Sequence, residues 1–359
     1  MRGLDPRIHP RRKKILTMDC RVKPGIDGRG RKGGGAMHKL ALAGALVVAV
    51  IITAAAALAI AQTARYPSRT IEIVVAYGPG GSTDLVARAL AQKFQERLGQ
   101  SVVVLNKPGG SGTIGATLAA RANPDGHTLY VGYTSETVIV PPLVKGAKYS
   151  IDDFEPIAVT GLVPLVLITS KNIRANTLPE LIEELRAAPG KFTFGGGIAS
   201  PPHVMGAWFN RINNLTVTHV PYRGGWQAVA DVVGGHIDMF YAGLAAAKGA
   251  IDSGAVKALA VTGDARSPAL PNVPTFKEAG VKDFDLASWN VLLAPKGTPA
   301  AVLSLLRQET VLALDDPKVR ELYVAQGVEA SSTQDVKAFL VKERDNFGRV
   351  VRSLGITME

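Results

Sequence analysis

The chain carries a single cysteine, Cys20, in 359 residues. An intramolecular disulfide is therefore impossible, and a thiolate-rich metal site cannot be built. Histidine is scarce too. Beyond residue 61 only His127, His203, His219 and His236 remain, and no two are three or four residues apart. That excludes the paired-histidine spacing of helix-borne zinc sites. There is no G-x-S-x-G and no G-x-x-x-x-G-K-[ST], so neither a nucleophile elbow nor a P-loop is present. No cofactor and no metal are expected, and an enzyme is not the expected class.

Balanced charge is missing only from one end. The formal net charge is +11, but residues 1–61 hold 12 Lys and Arg against 3 acids. The remainder holds 29 basic against 27 acidic residues, a net of +2. The basic character belongs to the leader, so it gives no footprint for nucleic acid. Residues 40–61, LALAGALVVAVIITAAAALAIA, carry no charge, follow His38 and Lys39, and end in the small-residue pattern Ala59-Ile60-Ala61. Residues 37–61 thus read as a signal peptide cleaved near Ala61, with export to the periplasm. The 22-residue apolar run is also long enough to span a bilayer, and a retained anchor stays the alternative. Residues 1–36, basic and rich in Gly and Pro, read as a leader outside the mature protein, with Met37 the better start. A basic nucleic-acid or membrane arm is the other reading.

What remains is a rhythm of strands and helices. TIEIVVAY (70–77) and SVVVLN (101–106) are strand-like, and HTLYVGYT (127–134) is a third such run. Leu85, Val86, Ala89, Leu90, Phe94 and Leu98 recur at helical spacing before Gly99, a C-terminal stop. The β-α-β-α-β order predicts a parallel sheet with helical crossovers. A second unit follows, with strands in 162–170, FTFGGG, VTHVPY, IDMFYAG and VKALAVTG, and a helix over 177–190 capped by Thr177, with Glu180 at the capping-box position. Three helix-like stretches, 299–315, 317–326 and 333–354, close the chain. Two extended segments, about 155–169 and 285–295, are placed to cross between the units.

Glycine and small hydroxyl residues gather in the loops after the strands: Tyr77–Asp84, Asn106–Gly115, Gly132–Thr137, Phe194–His203 and Val220–Gly225. In open α/β sheets ligands sit beyond the carboxyl ends of strands, at helix N-termini. Such loops offer backbone N–H groups to an anion without a dedicated cation. The candidate ligand set is Tyr77, Gly80, Gly81, Ser82, Asp84, Ser111, Gly112, Thr113, Thr134, Ser135, Gly197, Ser200, His203, Tyr222, Arg223 and Asp238. Asp84 reads equally as a first-turn acid, and Arg223 equally as a surface charge or a carboxylate partner. His203 reads as a local hydrogen-bond partner. Ser200, His203 and Asp238 form a triad only on paper, since no spacing selects it. Gly110, Gly112 and Gly115 spell G-x-G-x-x-G, yet the acid expected at the end of the next strand is missing. Glu136 alone comes near, and it lies late. The loop reads as one wall of an anion nest, not a dinucleotide turn.

The run YPSRTIEIVVAYGPGGSTDLVARALAQKFQERLGQSVVVLNKPGGSGTIGA resembles the mature start of the Bug family (TctC-type), the periplasmic solute-binding components of tripartite tricarboxylate transporters. NPDGHTLYVG, DDFEPIA, PGKFTFGGGIASPPH, THVPYRGG, VGGHIDMF, VKALAVTG, PNVPTFKEAG and APKGTP continue the match in order from about Tyr66 onward. The resemblance implies a two-lobed α/β Venus-flytrap fold, a two-segment hinge, and a small carboxylate ligand such as a di- or tricarboxylate, an amino acid or an aromatic acid. It implies lobe 1 over 66–163 and 290–359 and lobe 2 over 164–289. Ser82, Ser111, Thr113, Thr134 and Ser135 would hold the carboxylate, and Ser200, Tyr222 and Arg223 would close from the other lobe. The implied partners are the membrane permease subunits of such a transporter. Two other readings stay beside it: a ligand-loaded signalling partner of a membrane sensor kinase, and an exported α/β enzyme. Nucleic acid is not an expected partner, and a monomer is expected. Three departures bear on the ligand: Ser111 lies in a usually smaller G-A-G-G stretch, Gly196 stands where serine is common, and Ala199 where glycine is common.

Overall fold

The computed structural model describes residues 66–144, 148–331 and 333–357. The expected leader (1–36), signal peptide (37–61) and cleavage near Ala61 lie outside the described residues. The first unit is built from β1 (Ile71–Val75), α1 (Ser82–Leu98), β2 (Val102–Asn106), α2 (Thr113–Ala120) and β3 (Thr128–Tyr133). β1 pairs in parallel with β2 and with β3, as the alternating pattern predicts. β1 is rich in Ile and Val because both of its faces are covered. Ile71, Ile73 and Val75 pack with Val86, Leu90 and Phe94 of α1. Val74 turns to the opposite face, with Tyr130 and Trp289. α1 stops at Gly99, whose φ of 66° lets its N–H reach Gln95 O at 3.2 Å.

β4 (Phe154–Val163) and β5 (Leu165–Thr169) form the first crossing. The sequence pattern predicts one extended run through 155–169. The structure breaks it at Pro164, which has no N–H to give to either ladder. Val163 pairs with Ser288 in the first sheet, and Leu165 pairs with Gly243 in the second. The second unit continues with α3 (Leu178–Ala187), β6 (Thr193–Gly196), α4 (Pro201–Ile212), β7 (Thr218–Pro221), α5 (Gly225–Val233), β8 (Met239–Gly243), α6 (Leu244–Asp252) and β9 (Lys257–Val261). α3 begins as predicted: Thr177 Oγ1 accepts from Glu180 N at 3.4 Å, while Glu180 reaches back one residue further, to Asn176 N. The chain then returns through β10 (Ser288–Pro295), every residue of which is buried.

The strand orders are β2-β1-β3-β10-β4 and β7-β6-β8-β5-β9. The two sheets share one plan. Each has three parallel strands, then an antiparallel strand that has crossed from the other unit, then a last strand. The first crossing is tied at Leu165 to Thr262, the residue that follows β9. Leu165 N donates to Thr262 Oγ1 and Thr262 N donates to Leu165 O, both at 2.9 Å.

The chain ends in α7 (Ala300–Leu314), α8 (Pro317–Ala325) and α9 (Val336–Leu354). α7 packs on α1 and β4, whereas α9 packs on β4, on the short helical turn Ser135–Ile139 and on α4 of the second unit. Trp289, fully buried in β10, holds α9 by donating its indole N–H to Glu343 Oε2 at 2.9 Å. Among the described residues no helix is long and apolar enough to cross a membrane, and no group of His, Cys, Asp and Glu is arranged to hold a metal.

Candidate functional site

All five glycine-rich loops leave the carboxyl ends of parallel strands: those of β1, β2 and β3 in the first sheet, and of β6 and β7 in the second. The β1 loop is braced by Asp84. Its carboxylate accepts from Gly80 N at 3.0 Å, Arg88 Nε at 2.9 Å and Asn106 Nδ2 at 2.9 Å. Asn106 also donates to Tyr77 O at 2.9 Å. Burial pushes the Asp84 carboxyl up, but these hydrogen bonds outweigh it and hold it below the usual range. Asp84 therefore locks the loop to the end of β2, and the bracing supplies the structural half of its two readings. Gly80 is exposed with a φ of 93°, Gly81 caps α1, and Ser82 opens the helix half-buried. Helix-start N–H groups have no partner inside the helix.

The β2 loop is a run of four residues with positive φ: Gly109 at 124°, Gly110 at 57°, Ser111 at 53° and Gly112 at 93°. A serine there is strained by about 1 kcal/mol. The turn is closed by Gly112 N donating to Gly109 O at 3.0 Å. A Cβ on Gly112 would lie 2.7 Å from Glu136 Cβ, and one on Gly115 would lie 2.9 Å from Ala76 Cα. Backbone sign and close packing thus account for the G-x-G-x-x-G spacing. Ser111 is exposed and Thr113 half-buried.

After β3, Thr134 is fully buried and its hydroxyl is occupied. It accepts from Trp289 N at 2.8 Å and donates to Trp289 O at 3.2 Å. Ser135 Oγ donates to Ala199 O at 3.0 Å. This bond joins the β3 loop directly to the β6 loop, so the two lobes touch where their loops meet.

In the second lobe, Gly196 O is a shared acceptor, taking Tyr222 N at 3.1 Å and the Nε2–H of His219 at 2.9 Å. Ala199 is buried with a φ of 54°, and its N–H donates to His203 Nδ1 at 3.2 Å. His203 stacks on His219 with ring centroids 3.9 Å apart. Burial, and then its neighbour His219, push the His203 imidazole down to about 4. It stands neutral, with its proton on Nε2. Ser200 caps α4 beside Gly197, yet its Oγ is buried and has no hydrogen-bond partner. Tyr222 gives its hydroxyl hydrogen to Asp231 Oδ2 at 2.5 Å, and burial with that partner pushes it up to about 12. Arg223 is exposed and makes no ion pair among the described residues.

Asp238 is not brought to this cluster. It accepts from Thr193 N at 2.8 Å and Thr193 Oγ1 at 2.9 Å, at the amino end of β6, the end opposite the glycine loops. The Ser200–His203–Asp238 triad is accordingly not assembled. One residue of the neighbourhood escapes sequence reasoning, and a second is weighed there only as a ribose acid. Asn290 lies fully buried in β10, takes the Thr83 hydroxyl at 3.0 Å, and leaves its Nδ2 unpartnered. A lone Asn inside WNVLLAP is the signal that points to it. Glu136 is the second, and its carboxylate gathers three donors.

The family described as the tripartite tricarboxylate transporter family receptor, TctC, matches residues 86–356. The chain belongs to the TctC family. A curated member, BugT of Bordetella pertussis, is 33% identical over 318 residues, which cover 87% of this chain and 98% of BugT. A Rhodopseudomonas palustris protein solved with adipate superposes with a TM-score of 0.72 at 30% identity, covering 82% of this chain and 99% of that one. MatC from the same organism, solved with bound malate, gives 0.70 at 29% identity, covering 80% and 100%. TctC membership and these likenesses make the two-sheet architecture the two-lobed periplasmic-binding-protein fold. TctC proteins are solute-binding receptors, and the glycine loops of this one stand where open α/β sheets receive ligands.

Proposed function

We propose that the chain is exported to the periplasm, where it captures a small carboxylate between its lobes and delivers it to the permease subunits of a tripartite tricarboxylate-type transporter. The reading takes lobe 1 as residues 66–163 and 290–359 and lobe 2 as 164–289. The observation that carries it is the set of five glycine loops at carboxyl strand ends, two of which meet through Ser135 and Ala199. An anion there is met by helix-start and turn N–H groups, with hydroxyls as added donors. Ser111 and Thr113 offer free hydroxyls from the first lobe. From the second, Ser200 offers a buried hydroxyl and Arg223 a cation, neither with a side-chain partner among the described residues. Thr134 contributes through its backbone, because its hydroxyl already serves Trp289. Malate and adipate in two relatives support the ligand class. A bound acid that touches both lobes favours their closed arrangement.

A thermal-shift screen tests this. Malate, adipate, citrate, glutamate and benzoate are set against neutral sugars. An acid at 100 times its Kd adds about 2.7 kcal/mol of stability. A rise in melting temperature with sugars and with no acid contradicts the proposal.

A further inference from the structure

Glu136 has no part in the binding scheme so far, yet it is fully buried under the Gly109–Gly112 turn. Its Oε2 accepts from Tyr77 Oη at 2.5 Å. Its Oε1 accepts from Tyr130 Oη at 2.9 Å and from Tyr133 N at 2.5 Å. Tyr149 Oη donates to its backbone carbonyl at 2.6 Å. The titratable groups that face it are thus four tyrosines: Tyr77 from the β1 loop, Tyr130 and Tyr133 from β3, and Tyr149. No Lys, Arg or His among the described residues forms an ion pair with it, and the side chains that reach its carboxylate are tyrosines. Burial, the largest influence, pushes its carboxyl up to about 7, and hydrogen bonds from Tyr133 N, Tyr77, its own backbone and Tyr130 offset only part of that.

The donor arrangement decides where a proton goes. Oε1 already takes two hydrogens, so an added proton sits on Oε2, facing Tyr77. One hydrogen fits between those oxygens. When Glu136 is ionised, Tyr77 gives its hydrogen to Oε2 and offers only lone pairs elsewhere. When Glu136 is protonated, Oε2–H donates to Tyr77 Oη, and the tyrosine hydrogen is free to turn away. Tyr77 stands at the head of the glycine loop after β1, and Ser135, the residue before Glu136, bridges to Ala199 of the second lobe. The Tyr77 hydroxyl thus links Glu136 of the β3 loop to the glycine loop after β1.

We propose that Glu136 is a positioning residue for the ligand: carboxylate capture takes up one proton at Glu136 Oε2, which converts Tyr77 from an acceptor into a donor toward the bound acid. One proton moves from solvent to Glu136, and no covalent bond changes. Glu136 acts through Tyr77 without touching the ligand. The inference deepens the carboxylate reading and rests on it.

Isothermal titration of the mature chain with malate and with adipate, between pH 6.5 and 8.5 in two buffers of different ionisation heat, tests it. Both carboxyls of either acid are ionised throughout that range. One-proton coupling to a group titrating near 7 weakens wild-type affinity roughly 25-fold from pH 6.5 to 8.5, with about one proton taken up at the upper end. Glu136→Gln, whose amide donates permanently to Tyr77, is expected to bind with no pH slope. Tyr77→Phe is expected to lose the slope and to bind more weakly at pH 6.5. Should the buried Glu136→Gln variant fail to fold, the wild-type proton count and Tyr77→Phe still decide. Acid binding without proton uptake, or an unchanged slope in Glu136→Gln, overturns this inference alone. Should neither acid bind, the same titration is run with citrate, glutamate and benzoate; absence of binding by all five at every pH overturns the carboxylate reading along with it.

Discussion

The Ser135 hydroxyl donates to the Ala199 carbonyl at 3.0 Å, a bond from the end of β3 in one lobe to the loop after β6 in the other. Ala199 holds a left-handed backbone with a φ of 54° and is fully buried. The bond makes the loops of the two lobes direct neighbours before any ligand is considered.

Removing it is expected to loosen closure. A net hydrogen bond contributes about 0.5–1.5 kcal/mol, so Ser135→Ala shifts the open-to-closed ratio roughly 2- to 13-fold. Small-angle scattering of the ligand-free chain reads this as a larger radius of gyration. An unchanged radius contradicts it.

Thr134 is expected to behave as a structural residue. Its hydroxyl both receives from and gives to the Trp289 backbone. Thr134→Val strands a buried N–H and a buried carbonyl, at a cost of about 1–3 kcal/mol. Thr134→Ser keeps the hydroxyl and should lose far less. Urea midpoints at constant slope check both.

Gly112 is expected to tolerate no side chain. Its φ of 93° and the 2.7 Å approach of Glu136 to an added Cβ make Gly112→Ala strained twice over, with a loss of about 2 kcal/mol or more. Ser111→Gly, at a φ of 53°, should be near neutral for stability. Thermal denaturation of the two variants side by side gives the comparison.

The pH dependence of stability carries two opposed signs. Glu136 is pushed up from 4.5 to about 7 by burial, so its contribution is fully present below pH 4.5 and is lost as pH rises through 7. Over that window it amounts to roughly 3 kcal/mol. His203 is pushed down from 6.5 to about 4 by burial and His219. Its contribution is present above pH 6.5 and is lost as pH falls through 4. Between pH 4.5 and 6.5 the two largely cancel. Glu136→Gln should unmask the histidine and make stability rise with pH across that window. A flat profile in this variant contradicts the assignment.

Much of this was legible in the chain. Helical spacing in Leu85–Leu98, the stop at Gly99 and the alternation of strands with helices all follow local rules, and the structure keeps them. The crossing reads as one long strand in sequence, because Leu162–Ser170 is uniformly extended in character. Pro164 divides it, and only the pairing partners of Val163 and Leu165 reveal that the halves belong to different sheets. The loops could be found from glycine and hydroxyl content, but the employment of each hydroxyl could not. Thr134 and Asp84 look like ligand contacts in sequence and serve Trp289 and Asn106 in space. In sequence, Glu136 reads only as a late ribose acid. Its surroundings come from Tyr77, fifty-nine residues away, and from Tyr130 and Tyr133, a few residues upstream in β3, where strand geometry rather than sequence spacing brings the groups together.

The central claim is that a small carboxylate is held between loops of both lobes. Titration of the acid that most raises the melting temperature into wild-type chain, into Ser111→Ala/Thr113→Ala and into Ser200→Ala tests it most directly. Each mutation removes hydroxyls from one lobe, and each is expected to weaken binding about tenfold or more, since a hydrogen bond to a charged group contributes about 1.5–3 kcal/mol, while melting temperatures of the free proteins stay near wild type. Unchanged affinity in both variants would contradict the account.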